Sequence, residues 1–145
     1  MKSKTEISAG GIIYRENNDT VELLILKDHK GNWTFPKGLI EKNELPVQTA
    51  IREIKEEVGI DSIKYIEDIS EVKYNYTFKD TFVRKTVYYF LFKLTGKSVI
   101  KTQKEEGISE ADFYNFNKVK TIIGYKKTNE PLLSKVETIL QKKKE

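Results

Sequence analysis

The segment that decides the fold of this 145-residue chain reads Gly38-Leu-Ile-Glu-Lys-Asn-Glu-Leu-Pro-Val-Gln-Thr-Ala-Ile-Arg-Glu-Ile-Lys-Glu-Glu-Val-Gly-Ile60. Its second half predicts a helix that starts near Val47 and stops at Gly59, since glycine is favoured where a helix ends in a left-handed residue. On a wheel of about 100° per residue, the apolar side chains fall on one stripe. We expect that stripe to be buried; it comprises Val47, Ile51, Ile54 and Val58, with Ala50 beside them.

Three acidic residues share a neighbouring face of this helix. Glu53, Glu56 and Glu57 stand at i, i+3 and i+4, where like charges repel, and they lie near the C-terminal end of the helix, where the dipole opposes negative charge. A solvated acidic face is one interpretation of this pattern. A divalent cation is the other, and oxygen ligands without cysteine and with a single histidine favour Mg²⁺ or Mn²⁺ over zinc.

The whole segment resembles the signature of the Nudix hydrolase superfamily, Gly-x5-Glu-x7-Arg-Glu-U-x-Glu-Glu-x-Gly-U, where U is apolar. The resemblance implies an α/β fold in which a mixed β-sheet is sandwiched between α-helices, and hydrolysis of a nucleoside diphosphate linked to another group. Every fixed position matches, namely Gly38, Glu44, Arg52, Glu53, Ile54, Glu56, Glu57, Gly59 and Ile60.

The same resemblance assigns roles to these positions. Glu56 and Glu57 would bind the metal together with a backbone carbonyl close to Gly38, and Glu53 would be a further ligand or the base that activates water. Arg52 and Glu44 would pair and hold the loop against the helix, which supports catalysis.

Members of the superfamily often add a carboxylate from a loop outside the signature. Glu106 and Glu110, which precede a predicted strand, are the candidates here. We take Glu110 as the first choice because it lies nearer the strand.

Flanking residues narrow the substrate class. Trp33-Thr-Phe-Pro-Lys-Gly38 resembles the W-x-x-P-K-G run of asymmetric diadenosine tetraphosphate (Ap4A) hydrolases and of diphosphoinositol polyphosphate phosphohydrolases. Arg84 to Phe90 resembles a strand of the first group. We therefore expect Mg²⁺-dependent cleavage of Ap4A to ATP and AMP. A MutT-like (d)NTP pyrophosphohydrolase, a diphosphoinositol pyrophosphohydrolase and a non-catalytic nucleotide sensor are the alternatives.

Four residues outside the acidic cluster are candidates for substrate binding. Lys37 and Lys85 are placed to hold phosphates as point charges. Tyr76 is the tyrosine we expect to stack on an adenine, with one face of its strand contributing to the core. His29, in the loop before Trp33, is a candidate for a phosphate contact or for proton transfer.

The rest of the chain predicts strands first and helices later, with no repeat or linker, so we expect one Nudix domain over residues 1–145. Gly10-Gly11 indicates a bulge or a close backbone approach within the first strand. A long hairpin is predicted to turn at Lys79-Asp80. The final helix is predicted to begin with Pro131 at its first position.

Composition limits the partners. No apolar run approaches the length of a membrane span, so we expect a soluble, cytoplasmic enzyme that acts on a small nucleotide as a monomer or homodimer. The formal net charge is +4, and part of the excess lies in Lys142 to Lys144. Such a short basic run is more typical of a solvated helix end than of a nucleic-acid arm, so nucleic acid is not an expected partner.

Overall fold

One mixed sheet organises the chain, and the computed structural model describes residues 1–97 and 99–144 of it. The first strands and helix are β1 (Lys2–Asn17), β2 (Thr20–Lys27), β3 (Trp33–Thr34), β4 (Lys37–Leu39) and α1 (Pro46–Val58). They are followed by β5 (Ile63–Phe78), β6 (Thr81–Leu94), a short 3-10 turn (Lys104–Glu106), β7 (Glu110–Asn115), α2 (Phe116–Ile122) and α3 (Lys126–Lys143).

The strand order is β3-β2-β1-β6-β5, with β4 paired to β1 and β7 paired to β2. The β1–β6 pair is parallel and the other pairs are antiparallel. The long strands β1 and β6 therefore lie at the centre of the sheet, and β5 forms one edge. The predicted hairpin joins β5 to β6, and its turn residues Lys79 and Asp80 both have positive φ angles, of 45° and 62°.

Both faces of the central part of the sheet are covered, and alternate residues of its strands point to opposite sides. Ile12 of β1 packs in a cluster with Leu133 of α3, whereas the next residue, Ile13, packs in a second cluster with Ile54 of α1. The α/β class and the sheet between helices are confirmed by this layering.

Gly10 and Gly11 lie where β1 meets other elements at close range, as predicted. A side chain at position 10 would collide with the carbonyl oxygen of Pro36, and a Cβ at position 11 would come within 2.7 Å of Ile54 Cδ1. The two glycines thus let β4 and α1 approach the sheet, which brings the acidic helix to it.

Two details of the predicted helices are wrong. Ile51 is 39% exposed, whereas the other members of the predicted stripe are covered, and Thr49 and Glu57 are buried with them: the buried residues of α1 are Thr49, Ala50, Ile54, Glu57 and Val58, with Val47 partly buried. Pro131 lies inside α3, which starts five residues earlier at Lys126. The side chain of Asn129 explains the earlier start, since its amide donates to the carbonyl oxygen of Gly124 at 2.9 Å and ties the first turns of the helix to the preceding loop.

Among the residues that the structure describes, no helix is long and apolar enough to cross a membrane.

Candidate active site

The carboxylate of Glu57 lies in the interface between α1 and the sheet. It sits on the same stripe as Ile54 and Val58 and is only 7% exposed. One of its oxygens accepts a hydrogen bond from the backbone N–H of Lys37 in β4, at 2.9 Å. The helix therefore delivers a buried carboxylate to the strand that carries a candidate phosphate-binding lysine.

Burial changes the ionisation of this carboxylate. Loss of solvation, reinforced by the nearby charge of Glu53, raises the pKa of Glu57 to about 8. Burial also raises the pKa of Glu53, although Arg52 counteracts part of that effect. A cation bound between these two carboxyl groups would stabilise their ionised forms, which burial otherwise disfavours.

Arg52 organises the loop before the helix. Its guanidinium donates to Glu44 through Nε at 2.7 Å and through Nη2 at 3.0 Å, and this pairing lowers the pKa of Glu44 to about 2. The same guanidinium donates to the carbonyl oxygen of Leu39 at 3.0 Å and to Glu53 at 2.7 Å. Arg52 thus ties the 39–44 loop to the acidic face of α1, in the arrangement expected from the sequence.

Gly38 lies directly against Glu53. A Cβ at position 38 would overlap the carboxyl group of Glu53, so only glycine fits between β4 and this side chain. The backbone of Gly38 is therefore held beside the acidic face, as the signature implies.

A cleft of about 510 Å³ opens next to Glu57. Lys37, Tyr74, His29 and Glu106 contribute to its wall, together with aromatic and polar side chains from β3, β6 and α3. Burial, together with the charge of Lys85, lowers the pKa of Lys37. Acidic, cationic and aromatic groups therefore converge on one cavity.

Of the two acidic candidates outside the signature, Glu106 faces this cleft. Its charge raises the pKa of both Glu53 and Glu57, which places it near them. Glu110, our first choice, lines a different surface depression, and its side chain is 59% exposed and 4.0 Å from Lys27. The geometry therefore favours Glu106 as the additional carboxylate.

Lys85 and Tyr76 lie beside the cleft and meet at a residue that sequence reasoning did not select. Glu6 of β1 accepts the Tyr76 hydroxyl at 2.6 Å and pairs with the Lys85 ammonium at 3.4 Å. The hydrogen bond raises the pKa of Tyr76 to about 12. Tyr74 lines the cleft itself. No pattern in the sequence signals Glu6, because Tyr76 and Lys85, which it contacts beside the cleft, lie 70 or more residues away.

A second unselected residue, Asp28, closes the loop that carries His29. Its carboxylate accepts the backbone N–H groups of Lys30 and Asn32 and the hydroxyl of Tyr125, from the start of α3. An aspartate whose carboxylate accepts the backbone N–H two residues later forms a common turn. The sequence therefore did contain a signal for this loop.

The family model described as NUDIX domain matches residues 4–136 of the chain. The chain belongs to the NUDIX family. The match extends far beyond the signature into both helical layers.

Individual relatives differ in their described activities. The chain is 31% identical over 113 residues to the mRNA-decapping enzyme subunit 2 of Saccharomyces cerevisiae, covering 76% of this chain but only 11% of that protein. It is 34% identical over 92 residues to the asymmetrical bis(5'-nucleosyl)-tetraphosphatase of Mus musculus, covering 61% of this chain and 60% of that protein. The crystal structure of an Ap4A hydrolase binary complex from C. elegans superposes with a TM-score of 0.78 at 28% identity, covering 94% of this chain and 98% of that one.

Nudix hydrolases generally use divalent metal ions, and the donor set here fits one. Glu53, Glu56 and Glu57 offer hard carboxylate oxygens, and the ionised forms of Glu53 and Glu57 lack solvent to stabilise them. Within residues 1–97 and 99–144, however, no three acidic or histidine side chains are already gathered around one point. Instead, the guanidinium of Arg52 donates hydrogen bonds to both Glu53 and Glu56. A bound cation would compete with Arg52 for these two carboxylates.

Proposed function

We propose that this Nudix enzyme hydrolyses Ap4A asymmetrically to ATP and AMP with Mg²⁺ as its cofactor, through one Nudix domain formed by residues 1–145. The observation that carries the proposal is the cleft. It places the buried acid Glu57 one hydrogen bond away from the backbone of Lys37, with Tyr74 on the same wall. The extensive likeness to the C. elegans Ap4A hydrolase supports the same substrate.

The proposed substrate needs charge neutralisation along a chain of phosphates. Lys37 lines the cleft, and Lys85 lies close enough for its charge to lower the pKa of Lys37, so both ammonium groups can bind phosphates that do not react. Ap4A carries a longer phosphate chain than a nucleoside triphosphate, so a pair of cations beside the acidic cluster suits it. Tyr74, and Tyr76 beside it, offer rings on which an adenine can stack.

The acidic residues have separate tasks in this proposal. Glu53, Glu56 and Glu57 hold the metal with Gly38, and Glu106 rather than Glu110 adds a carboxylate from outside the signature. A metal ion supplies charge neutralisation and lowers the pKa of bound water. Glu53 or Glu57 accepts the proton of the attacking water, because a carboxylate beside the metal is placed to act as a general base. Arg52 and Glu44 keep the loop in position.

Hydrolysis at a 5′ end of RNA is the second candidate. The likeness to the yeast decapping subunit over 76% of this chain favours it. The cleft is compatible with either substrate, because both present a nucleoside attached to a short polyphosphate.

A substrate panel distinguishes the candidates. Purified protein is incubated with Mg²⁺ and, separately, Ap4A, dNTPs, diphosphoinositol phosphates, NADH, and capped or triphosphorylated RNA, and the products are separated by chromatography. We expect the highest kcat/KM on Ap4A. A preference for RNA would move the assignment to the second candidate, and inactivity on all substrates with both Mg²⁺ and Mn²⁺ would refute the hydrolase proposal.

A further inference from the structure

The tip of the β5–β6 hairpin and the start of β1 form an exposed face next to the cleft. Side chains of directly paired residues point to the same side of a sheet. Tyr74 is paired with Lys85, Tyr76 with Val83 and Phe78 with Thr81, and β1 adds a third strand in parallel register. We call this surface the hairpin face; its aromatic and charged members are Tyr74, Tyr76, Phe78, Lys2, Lys4, Glu6 and Lys85.

The three rings lie open to solvent. Tyr74, Tyr76 and Phe78 are exposed by 37%, 36% and 60%. Val83, opposite Tyr76, has no exposed surface, so the side chains around it lie across the sheet and cover it. The rings of Tyr74 and Tyr76 are 6.3 Å apart between centroids and tilted by 34°. Three neighbouring exposed rings with charged side chains around them are a candidate interaction site, because contiguous apolar patches with a polar rim mark such sites.

Cations surround the rings. The side chain of Lys4 is 55% exposed, and the ammonium of Lys79 lies 5.3 Å from the centroid of Phe78. The single carboxylate of Glu6 lies between two ammonium groups, at 3.3 Å from Lys4 and 3.4 Å from Lys85, so this trio keeps one net positive charge. The hairpin face therefore offers positive charge to a ligand along its outer part.

The spacing of the rings suits a chain of bases. Alternate residues of a strand lie on one face with their backbones about 6.6–6.8 Å apart, so Tyr74, Tyr76 and Phe78 follow one another along the same side of β5. Proteins that bind single strands combine such aromatic platforms with a basic track for the phosphates. The row starts at Tyr74, which also lines the cleft.

We propose that the hairpin face binds single-stranded nucleic acid, with bases stacked on Tyr76 and Phe78 and phosphates held by Lys4 and Lys79. The surface is distinct from the basic C-terminal run, which carries no aromatic ring. A strand bound there would have one of its ends at the mouth of the hydrolytic cleft. Binding of the strand does not require hydrolysis, so this inference stands or falls separately from the Ap4A proposal.

Fluorescence anisotropy provides the test, with a 3′-labelled, 5′-hydroxyl single-stranded RNA of ten nucleotides as the probe. One base stacked on an aromatic ring contributes about 1–3 kcal/mol to binding, so Phe78→Ala should weaken binding by about 5- to 150-fold. Lys4→Glu should reduce the slope of log K against log salt by about 0.7, the value for one phosphate contact to a single strand. Both variants should retain wild-type hydrolysis of Ap4A or of whichever small substrate the panel identifies.

The chain offers matched controls on the opposite face of the same hairpin tip. Phe82 pairs with Thr77 and Arg84 with Asn75, so their side chains point away from Phe78. Phe82→Ala and Arg84→Glu should bind the RNA within about twofold of wild type. The same RNA annealed to its complement should bind more weakly, because its bases are no longer available to the rings.

Three results would overturn the inference. One is the absence of saturable binding by the wild type at low salt. Another is an equal loss of affinity in Phe78→Ala and Phe82→Ala. The third is self-association in sedimentation experiments that Phe78→Ala abolishes while RNA binding is absent, which would assign the hairpin face to a second copy of the chain.

Discussion

Replacement of Glu57 by glutamine should stabilise the metal-free protein, and the gain should grow with pH. The pKa of the Glu57 carboxyl rises from 4.5 to about 8 on folding. Because the folded pKa is the higher one, the contribution of this carboxyl to stability is complete below pH 4.5 and is lost as the pH rises towards 8. Glutamine does not titrate, and its amide oxygen can still accept the N–H of Lys37.

The size of the effect follows from the two pKa values. Each tenfold change in the ratio of protonation states corresponds to about 1.4 kcal/mol. The variant should therefore gain less than about 1 kcal/mol at pH 5, about 3 kcal/mol at pH 7 and about 5 kcal/mol at pH 9. For a chain of this length the gain at pH 7 corresponds to a rise in Tm of roughly 6–12 °C.

Thermal unfolding in EDTA at these three pH values provides the measurement. Glu56→Gln is the matched control, since its side chain is 44% exposed and the substitution is the same. We expect its Tm to stay within about 2 °C of the wild type at every pH. A Tm difference between Glu57→Gln and wild type that is independent of pH, or a lower Tm for the variant at pH 9, would refute the reasoning.

Three further substitutions test other parts of the site. Glu106→Gln should raise the Mg²⁺ concentration for half-maximal activity by about tenfold or more, whereas Glu110→Gln should leave it unchanged in a metal titration. Arg52→Lys should lower kcat by about 10- to 100-fold because lysine cannot donate the forked pair of hydrogen bonds that holds the loop, and wild-type steady-state kinetics would contradict this. Gly10→Ala should lower the free energy of unfolding by about 1–3 kcal/mol in urea, since the added methyl group meets Pro36; an unchanged midpoint would contradict the close approach.

Local signals in the sequence were sufficient where a residue's own chemistry decides its conformation. Gly59 ends α1 in the left-handed region, with φ at 74°, as a glycine after a helix suggests. Lys79 and Asp80 form the hairpin turn, and Arg52 pairs with Glu44 eight residues earlier. The turn and the helix end follow from the residues themselves, whereas the Arg52–Glu44 pair was implied by the resemblance to the Nudix signature.

The sequence was insufficient where distant elements decide which side chain is covered. The wheel assigned Ile51 to the core and Glu57 to a neighbouring face, yet β1 and β4 cover the side of α1 that carries Glu57. A hydrophobicity pattern assigns every glutamate to the surface. It therefore does not identify a carboxylate that is buried at a functional site. The choice between Glu106 and Glu110 also depends on distant elements, because the fold of the loop after β6 decides which of them faces the cleft.

The most direct test of the central claim is the product ratio from Ap4A with wild type and Glu57→Gln, measured by chromatography in Mg²⁺ and in EDTA. We predict equimolar ATP and AMP from the wild type in Mg²⁺, no turnover in EDTA, and a rate for Glu57→Gln that is lower by at least about 100-fold while its fold is retained. A rate that EDTA does not change, or full activity of Glu57→Gln, would contradict a metal-dependent hydrolase built on this helix.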